Sequence, residues 1–238
     1  GKGRRNEENA NRFALAAMEA SDQVREVVPQ VTLRFYEGQD PALFEKAVDI
    51  IGKGTVHPGL YNDDVHIPSV METYHVSESE AEKYIPQGCG ELNLDGCTIG
   101  SPNSILNLVH GLELVLHNGY NHVIKDQRGL AQGEPESFDT FDKLLGAYYK
   151  QLDCIYDVLA HRHAIEHEAM AKESGFVLHS ILTHDCIGRG ETLYNGARYQ
   201  GGIIETFGMT NLADSLYAIR TLVYEDQKYT LREVVTML

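Results

Sequence analysis

Apolar residues recur at spacings of three and four from Asn6 to Val28. Phe13, Ala16, Ala17, Ala20, Val24 and Val27 share one stripe, which predicts a helix stopped by Pro29. Val31 to Tyr36 alternates and carries β-formers, so a strand is expected. A helix follows from Pro41, in its first turn, to Ile51, ended by Gly52 and Gly54. Residues 55–67 read as loop and turn, and short helices are predicted at 68–74 and 77–83. The second is opened by Ser77 with Glu80 three positions on, the spacing of a capping box. Residues 84–104 are Gly-rich with little periodicity and read as loop. Ser104 to Asn118 is predicted as a helix closed by Asn118-Gly119, with polar loop over 119–137. Phe138 to Lys172 is a long helix with Leu144, Leu145, Tyr148, Leu152, Ile155 and Leu159 on one stripe. Gly188 to Gly208 reads as Gly-rich loop with strand-like pieces, and Asn211 to Tyr224 as a helix on Leu212, Leu216, Ile219 and Val223. Sparse strands separated by helices favour β–α units over antiparallel sheet and an α/β class.

Composition narrows the function. At 238 residues, 42% hydrophobic and 23% charged, the chain suits one large globular domain or two small ones. A formal net charge of -15 disfavours a nucleic-acid or anionic-membrane partner, either of which needs a basic face. The longest apolar stretch, Ile105 to Leu116, is broken by Asn107, His110 and Glu113 and is too short and polar to span a bilayer. Four scattered cysteines without a Cys-x-x-Cys spacing suggest a reducing cytoplasm, mostly buried inert thiols and no metal of that type. The opening Gly-Lys-Gly-Arg-Arg without Met and the apolar close Val-Val-Thr-Met-Leu suggest a piece of something longer.

The segment Tyr-Ile-Pro-Gln-Gly-Cys-Gly-Glu-Leu-Asn, residues 84–93, holds the strongest candidate chemistry. In an extended backbone, side chains two apart point the same way, so Cys89 and Glu91 could reach one small substrate. The thiol offers sulfur chemistry and the carboxylate a base.

Several segments together carry a family resemblance. Asn6 to Met18 precedes Thr32-Leu33-Arg34-Phe35, and Tyr61-Asn62-Asp63-Asp64 with Ile67-Pro68 comes next. Gly88-Cys89-Gly90-Glu91 then leads to His117-Asn118-Gly119. Last come Asn195-Gly196-Ala197-Arg198-Tyr199, Asn211 to Leu216 and Lys228-Tyr229-Thr230. In this order and spacing they resemble the pyruvate formate-lyase-like glycyl radical enzymes, over nearly the whole chain. The resemblance implies part of a ten-stranded α/β barrel of two antiparallel half-sheets wrapped in helices. Residues 1–238 would be a partial catalytic barrel domain with a cysteine finger loop over 84–104. The C-terminal glycyl radical domain, marked by an Arg-Val-x-Gly-Tyr context, is absent from this sequence.

The resemblance also implies roles. Cys89 would be the hydrogen-abstracting thiol and Glu91 the base of a lyase that eliminates water or another group, or decarboxylates, a small polar substrate. A dry, closed site suits radical chemistry. Arg198 and Tyr199 would bind substrate or brace the pocket, and Gly88, Gly90 and Gly196 would permit backbone shapes that side chains block. The cofactor would be a glycyl radical outside this chain, with no bound metal. The partners would be a radical S-adenosylmethionine activating enzyme and a second copy in a homodimer. The commonest eliminase form has Val after the Cys and Pro after the Glu. Here Gly90 and Leu92 stand there, which leaves the substrate open. A formate C-acetyltransferase-like activity is the alternative, although Gly90 replaces the second cysteine of that enzyme. A non-catalytic fragment, or a metal-binding protein that uses the histidine cluster of residues 161–168, is another.

His161, His163, His167 and Glu168 form a rival cluster on the long helix. His163 and His167 are four apart and share a face, a geometry metal ligands use. The order His-Ala-Ile-Glu-His puts the carboxylate where a His-Glu-x-x-His site would not have it, and a polar helix face is the plainer reading.

Overall fold

The computed structural model describes residues 7–88, 90–100 and 102–237. They form two compact units: Gly1–Gly100 with Gly175–Gly201, and Ser101–Ser174 with Gly202–Leu238.

In the first unit, the opening helix spans Glu7–Val24 and ends before the predicted Val28, where Arg25 adopts a left-handed φ of 54°. Strand Thr32–Phe35, helix Pro41–Gly52 and strand Gly59–Asn62 form a β–α–β unit. The strands pair in parallel from Thr32↔Gly59 to Phe35↔Asn62. Asp40 opens the helix by accepting from the Ala42 N–H, and Leu43, Ala47 and Ile50 pack with Met18 and Leu33 into a small core. The next helix, Asp63–Tyr74, starts well before the predicted residue 68. The Asn62 side chain accepts from the Asp64 N–H, and two aspartates in the first turn complement the helix dipole. Ser77 opens helix Glu78–Ala81 by accepting from the Glu80 N–H. Only that half of the capping box is seen, because the Glu80 carboxylate is turned toward Lys83 and Arg198.

The segment expected to be loop over 84–104 is in large part sheet. Tyr84–Gln87 and Glu91–Leu94 form an antiparallel hairpin, paired from Tyr84↔Leu94 to Gln87↔Glu91. Its foot packs in a core with Ile67, Val70, Ala81 and Cys97. Residues 175–201 return as three short helices, Val177–Leu182, Cys186–Arg189 and Leu193–Gly196. They dock beside the hairpin foot: the His184 N–H donates to the Gly96 carbonyl at 2.7 Å, and the Tyr199 N–H to the Cys97 carbonyl at 3.0 Å.

In the second unit, Pro102–Asn107 is a strand, paired in parallel with Ile203–Phe207. This corrects the helix predicted from Ser104. The run Ser-Ile-Leu-Asn-Leu-Val has no period that separates strand from helix, and the boundary is set by Asn107, whose side chain accepts from the Val109 N–H to open helix Leu108–Leu116. The long helix spans Phe141–Glu173, and helix Met209–Ile219 runs into a π-helical turn at Arg220–Glu225. Leu112, Val115, Leu144, Tyr148 and Ile219 centre its core. Each side chain of this size, fully buried, contributes about 1.5–3 kcal/mol.

The α/β class therefore holds, with parallel and antiparallel pairs both present. Among the described residues no helix is long and apolar enough to cross a membrane.

Candidate active site

Cys89 lies outside the described residues, so the extended run expected from 89 to 91 cannot be followed through it. The residues on either side of it in the sequence are in turn conformation. The Gln87 carbonyl accepts from the Gly90 N–H at 3.2 Å, and Gly88 and Gly90 have φ of 55° and 139°. Those angles disfavour any side chain, so both positions call for glycine.

Glu91 begins the return strand and is only 7% exposed. Its carboxylate folds back over the turn. Oε2 accepts from the Gly90 N–H at 3.0 Å, so that N–H is shared between the carboxylate and the Gln87 carbonyl. A Cβ on Gly88 would lie 2.5 Å from Oε2 and 2.6 Å from Oε1. A Cβ on Gly90 would meet only the Tyr61 hydroxyl, at 3.8 Å. The tip thus carries a buried carboxylate flanked by two bare α-carbons.

The stem below the tip is held by polar contacts that sequence reasoning did not single out as a site. The Arg34 guanidinium donates to both oxygens of Asp63, at 2.8 and 3.0 Å, and to the carbonyls of Glu82 and Tyr84, each at 3.0 Å. It also lies 3.8 Å above the Tyr84 ring. The Tyr84 hydroxyl donates to Asp63 at 2.6 Å, and burial together with that carboxylate pushes the phenol pKa above its ordinary value. Higher on the stem, buried Asn93 donates to the Gln87 side chain at 2.9 Å and accepts from Thr98 at 3.1 Å. The signal for the Arg34 cluster was present in Thr-Leu-Arg-Phe and Tyr-Asn-Asp-Asp, whose two strands pair directly.

Arg198 donates to both Asp185 oxygens at 3.0 Å and lies 3.6 Å from Glu80. The Asp185 bond holds the guanidinium more firmly in its charged form, and Arg198 in turn lowers the Asp185 pKa. Tyr199 is half-buried, bridges to Thr98 and meets Tyr74 edge-on at 5.5 Å. Tyr199 thus packs against the core at the foot of the hairpin, while Arg198 ties Glu80 of helix Glu78–Ala81 to Asp185 beside helix Cys186–Arg189. A Cβ on Gly196 would come within 2.9 Å of the Cys186 backbone, so the approach of these two helices needs a glycine. Cys97 and Cys186 are buried, and burial raises both thiol pKa values; Cys154 is only half-buried.

The histidines of the long helix do not converge. His161 bonds the Asp157 carbonyl of its own helix, and Glu168 pairs with Lys172. Buried His163 shares a 2.7 Å hydrogen bond with Ser104. Burial and His163 both lower the His167 pKa. Among the described residues no three His, Cys, Asp or Glu side chains gather as metal ligands.

Comparison with known proteins adds the context. The family model described as pyruvate formate lyase-like matches residues 1–238. Trans-4-hydroxy-L-proline dehydratase of Clostridioides difficile is 27% identical over 224 residues, covering 94% of this chain and 28% of that protein. (2S)-3-sulfopropanediol dehydratase of Klebsiella oxytoca is 28% identical over 237 residues, covering 99% of this chain and 29% of that protein. A solved structure concerned with 1,2-propanediol dehydration in Roseburia inulinivorans superimposes with a TM-score of 0.82 at 31% identity, over 96% of this chain and 28% of that one. The chain thus spans under a third of the length of the relatives it matches.

Proposed function

The chain belongs to the pyruvate formate-lyase-like family, and from that membership we propose that it is part of the catalytic barrel of a glycyl radical lyase. The reaction is thiyl-initiated elimination from a small polar substrate, of the dehydratase type. The observation that carries this reading is the buried Glu91 carboxylate, folded back against Gly88 and Gly90, the sequence neighbours of Cys89, with Gly90 where an acyl-accepting second thiol would stand.

Open space beside the bare α-carbon of Gly90, next to Cys89 in the sequence, suits the approach of a second backbone segment that would carry the radical glycine. The glycyl radical, when present, supplies the one-electron oxidising equivalent that the chemistry needs. As a thiyl, the Cys89 sulfur takes a hydrogen atom from a substrate carbon that bears a hydroxyl. Glu91 takes the hydroxyl proton, which eases departure of the neighbouring group, and returns it to that group as it leaves. The Cys89 thiol then gives its hydrogen atom back to the product carbon. The sequence is redox-neutral, and general-base help of this kind is worth about 10²–10⁴-fold. Arg34, Asp63 and Tyr84 hold the stem that positions both groups, and Arg198 and Tyr199 brace its foot.

The wider reading has four further parts. The barrel is the ten-stranded one of two half-sheets, with residues 84–104 as its finger loop. The active protein is a cytoplasmic homodimer. A radical S-adenosylmethionine enzyme activates it. Its substrate resembles the vicinal diols named for solved neighbours, in which a hydroxyl-bearing carbon adjoins the leaving group. The test is Cys89→Ala in the full-length protein, activated without oxygen and offered 1,2-propanediol and glycerol. The glycyl radical signal should form while turnover is abolished. Turnover by this variant would refute the assignment.

A further inference from the structure

The Glu91 carboxylate has a seat. Both its oxygens lie where a side chain on Gly88 would begin, within 2.6 Å of the missing Cβ. From there Oε2 reaches the Gly90 N–H at 3.0 Å. That N–H also bonds the Gln87 carbonyl at 3.2 Å, so it keeps a partner when the carboxylate departs. A carboxylate that bonds only part of a shared donor is held without being locked. Resting on the reading of Glu91 as the base, we propose that Gly88 is a positioning residue. Its bare α-carbon is the place where the carboxylate waits, bonded to the Gly90 N–H, until a substrate hydroxyl draws it away.

The test compares Gly88→Ala in two backgrounds of the full-length protein, wild type and Glu91→Ala. The first readout is thermal stability before activation, which requires no substrate. In the wild-type background the new methyl meets the carboxylate, and in the Glu91→Ala background only the strained φ of 55° remains. The Tm loss should therefore be clearly larger in the wild-type background, and equal losses in the two would overturn the seat. The second readout splits kcat from KM for Gly88→Ala on whichever diol supports turnover. With the carboxylate displaced from its seat, kcat should fall at least tenfold with KM little changed. An unchanged kcat would overturn the positioning role. Glu91→Gln separates the two ideas. If that variant keeps full elimination, the base assignment fails, while the stability comparison still decides whether Gly88 seats residue 91.

Discussion

Glu91 and His163 are both buried polar side chains, and they are satisfied in opposite ways. His163 is 6% exposed and bound at 2.7 Å to Ser104, a side chain on a strand fifty-nine residues away in sequence. Glu91 is 7% exposed and bound to the N–H of the residue beside it, which already has a second acceptor. The first arrangement joins a helix to a strand, and releasing it leaves a buried hydroxyl unpaired. The second joins a side chain to its own turn, and releasing it leaves nothing unpaired in the turn. A buried group with a dispensable partner is the better place to look for chemistry, and a buried group with an indispensable one is the better place to look for stability.

The same contrast separates the two surroundings. The long helix rests on an apolar core of Leu112, Val115, Leu144 and Tyr148. The hairpin is short, and beyond the apolar cluster at its foot it is held by directed polar contacts, from Arg34 and Asp63 below and Asn93 above. Directed contacts fix one register and one tip geometry, which a reacting pair needs.

Breaking the stabilising member of the comparison should give the larger effect on folding. His163→Ala leaves the Ser104 hydroxyl buried and unpaired and opens a void beside it, a loss of about 3 kcal/mol. Denaturant unfolding of the full-length protein should show that loss with the elimination rate of the folded enzyme unchanged. A stable variant with a slowed rate would place the histidine cluster in the chemistry after all. A smaller effect is expected at the stem. Tyr84→Phe removes one donor to Asp63, which retains both Arg34 bonds, so the loss should be about 1 kcal/mol near neutral pH. Its pH dependence sharpens the point. The Tyr84 pKa is raised in the folded state, by burial first and then by Asp63, so the protonated phenol favours folding below its unfolded value of about 10, and that stability is lost as pH rises beyond it. Tyr84→Phe should flatten that alkaline decline. If the decline persists unchanged, other groups cause it.

How far the sequence revealed this arrangement depended on what held each element. Helix Pro41–Gly52 and the long helix Phe141–Glu173 matched their apolar stripes closely, because packing of one face decides them. The hairpin did not show itself. Its strands are four residues long, Pro86 interrupts the β pattern, and its stem is fixed by Arg34 and Asp63 from distant segments. Strand Pro102–Asn107 was hidden because its apolar pair, Ile105 and Leu106, runs on past Asn107 into Leu108 and Val109 with no period that separates strand from helix. At the site, the spacing and residue types of Cys89 and Glu91 made them the candidate pair. The reason Gly88 must be glycine was not readable, because it lies in the path of a side chain three residues on.

The central claim is that Glu91 takes the substrate proton, and one measurement addresses it directly. Full-length Glu91→Gln should be activated without oxygen, its glycyl radical counted by electron paramagnetic resonance, and its elimination rate measured on the substrate the wild type turns over. The account predicts a radical yield like wild type with elimination slowed by about 10²–10⁴-fold. A glutamine variant with undiminished elimination would contradict it.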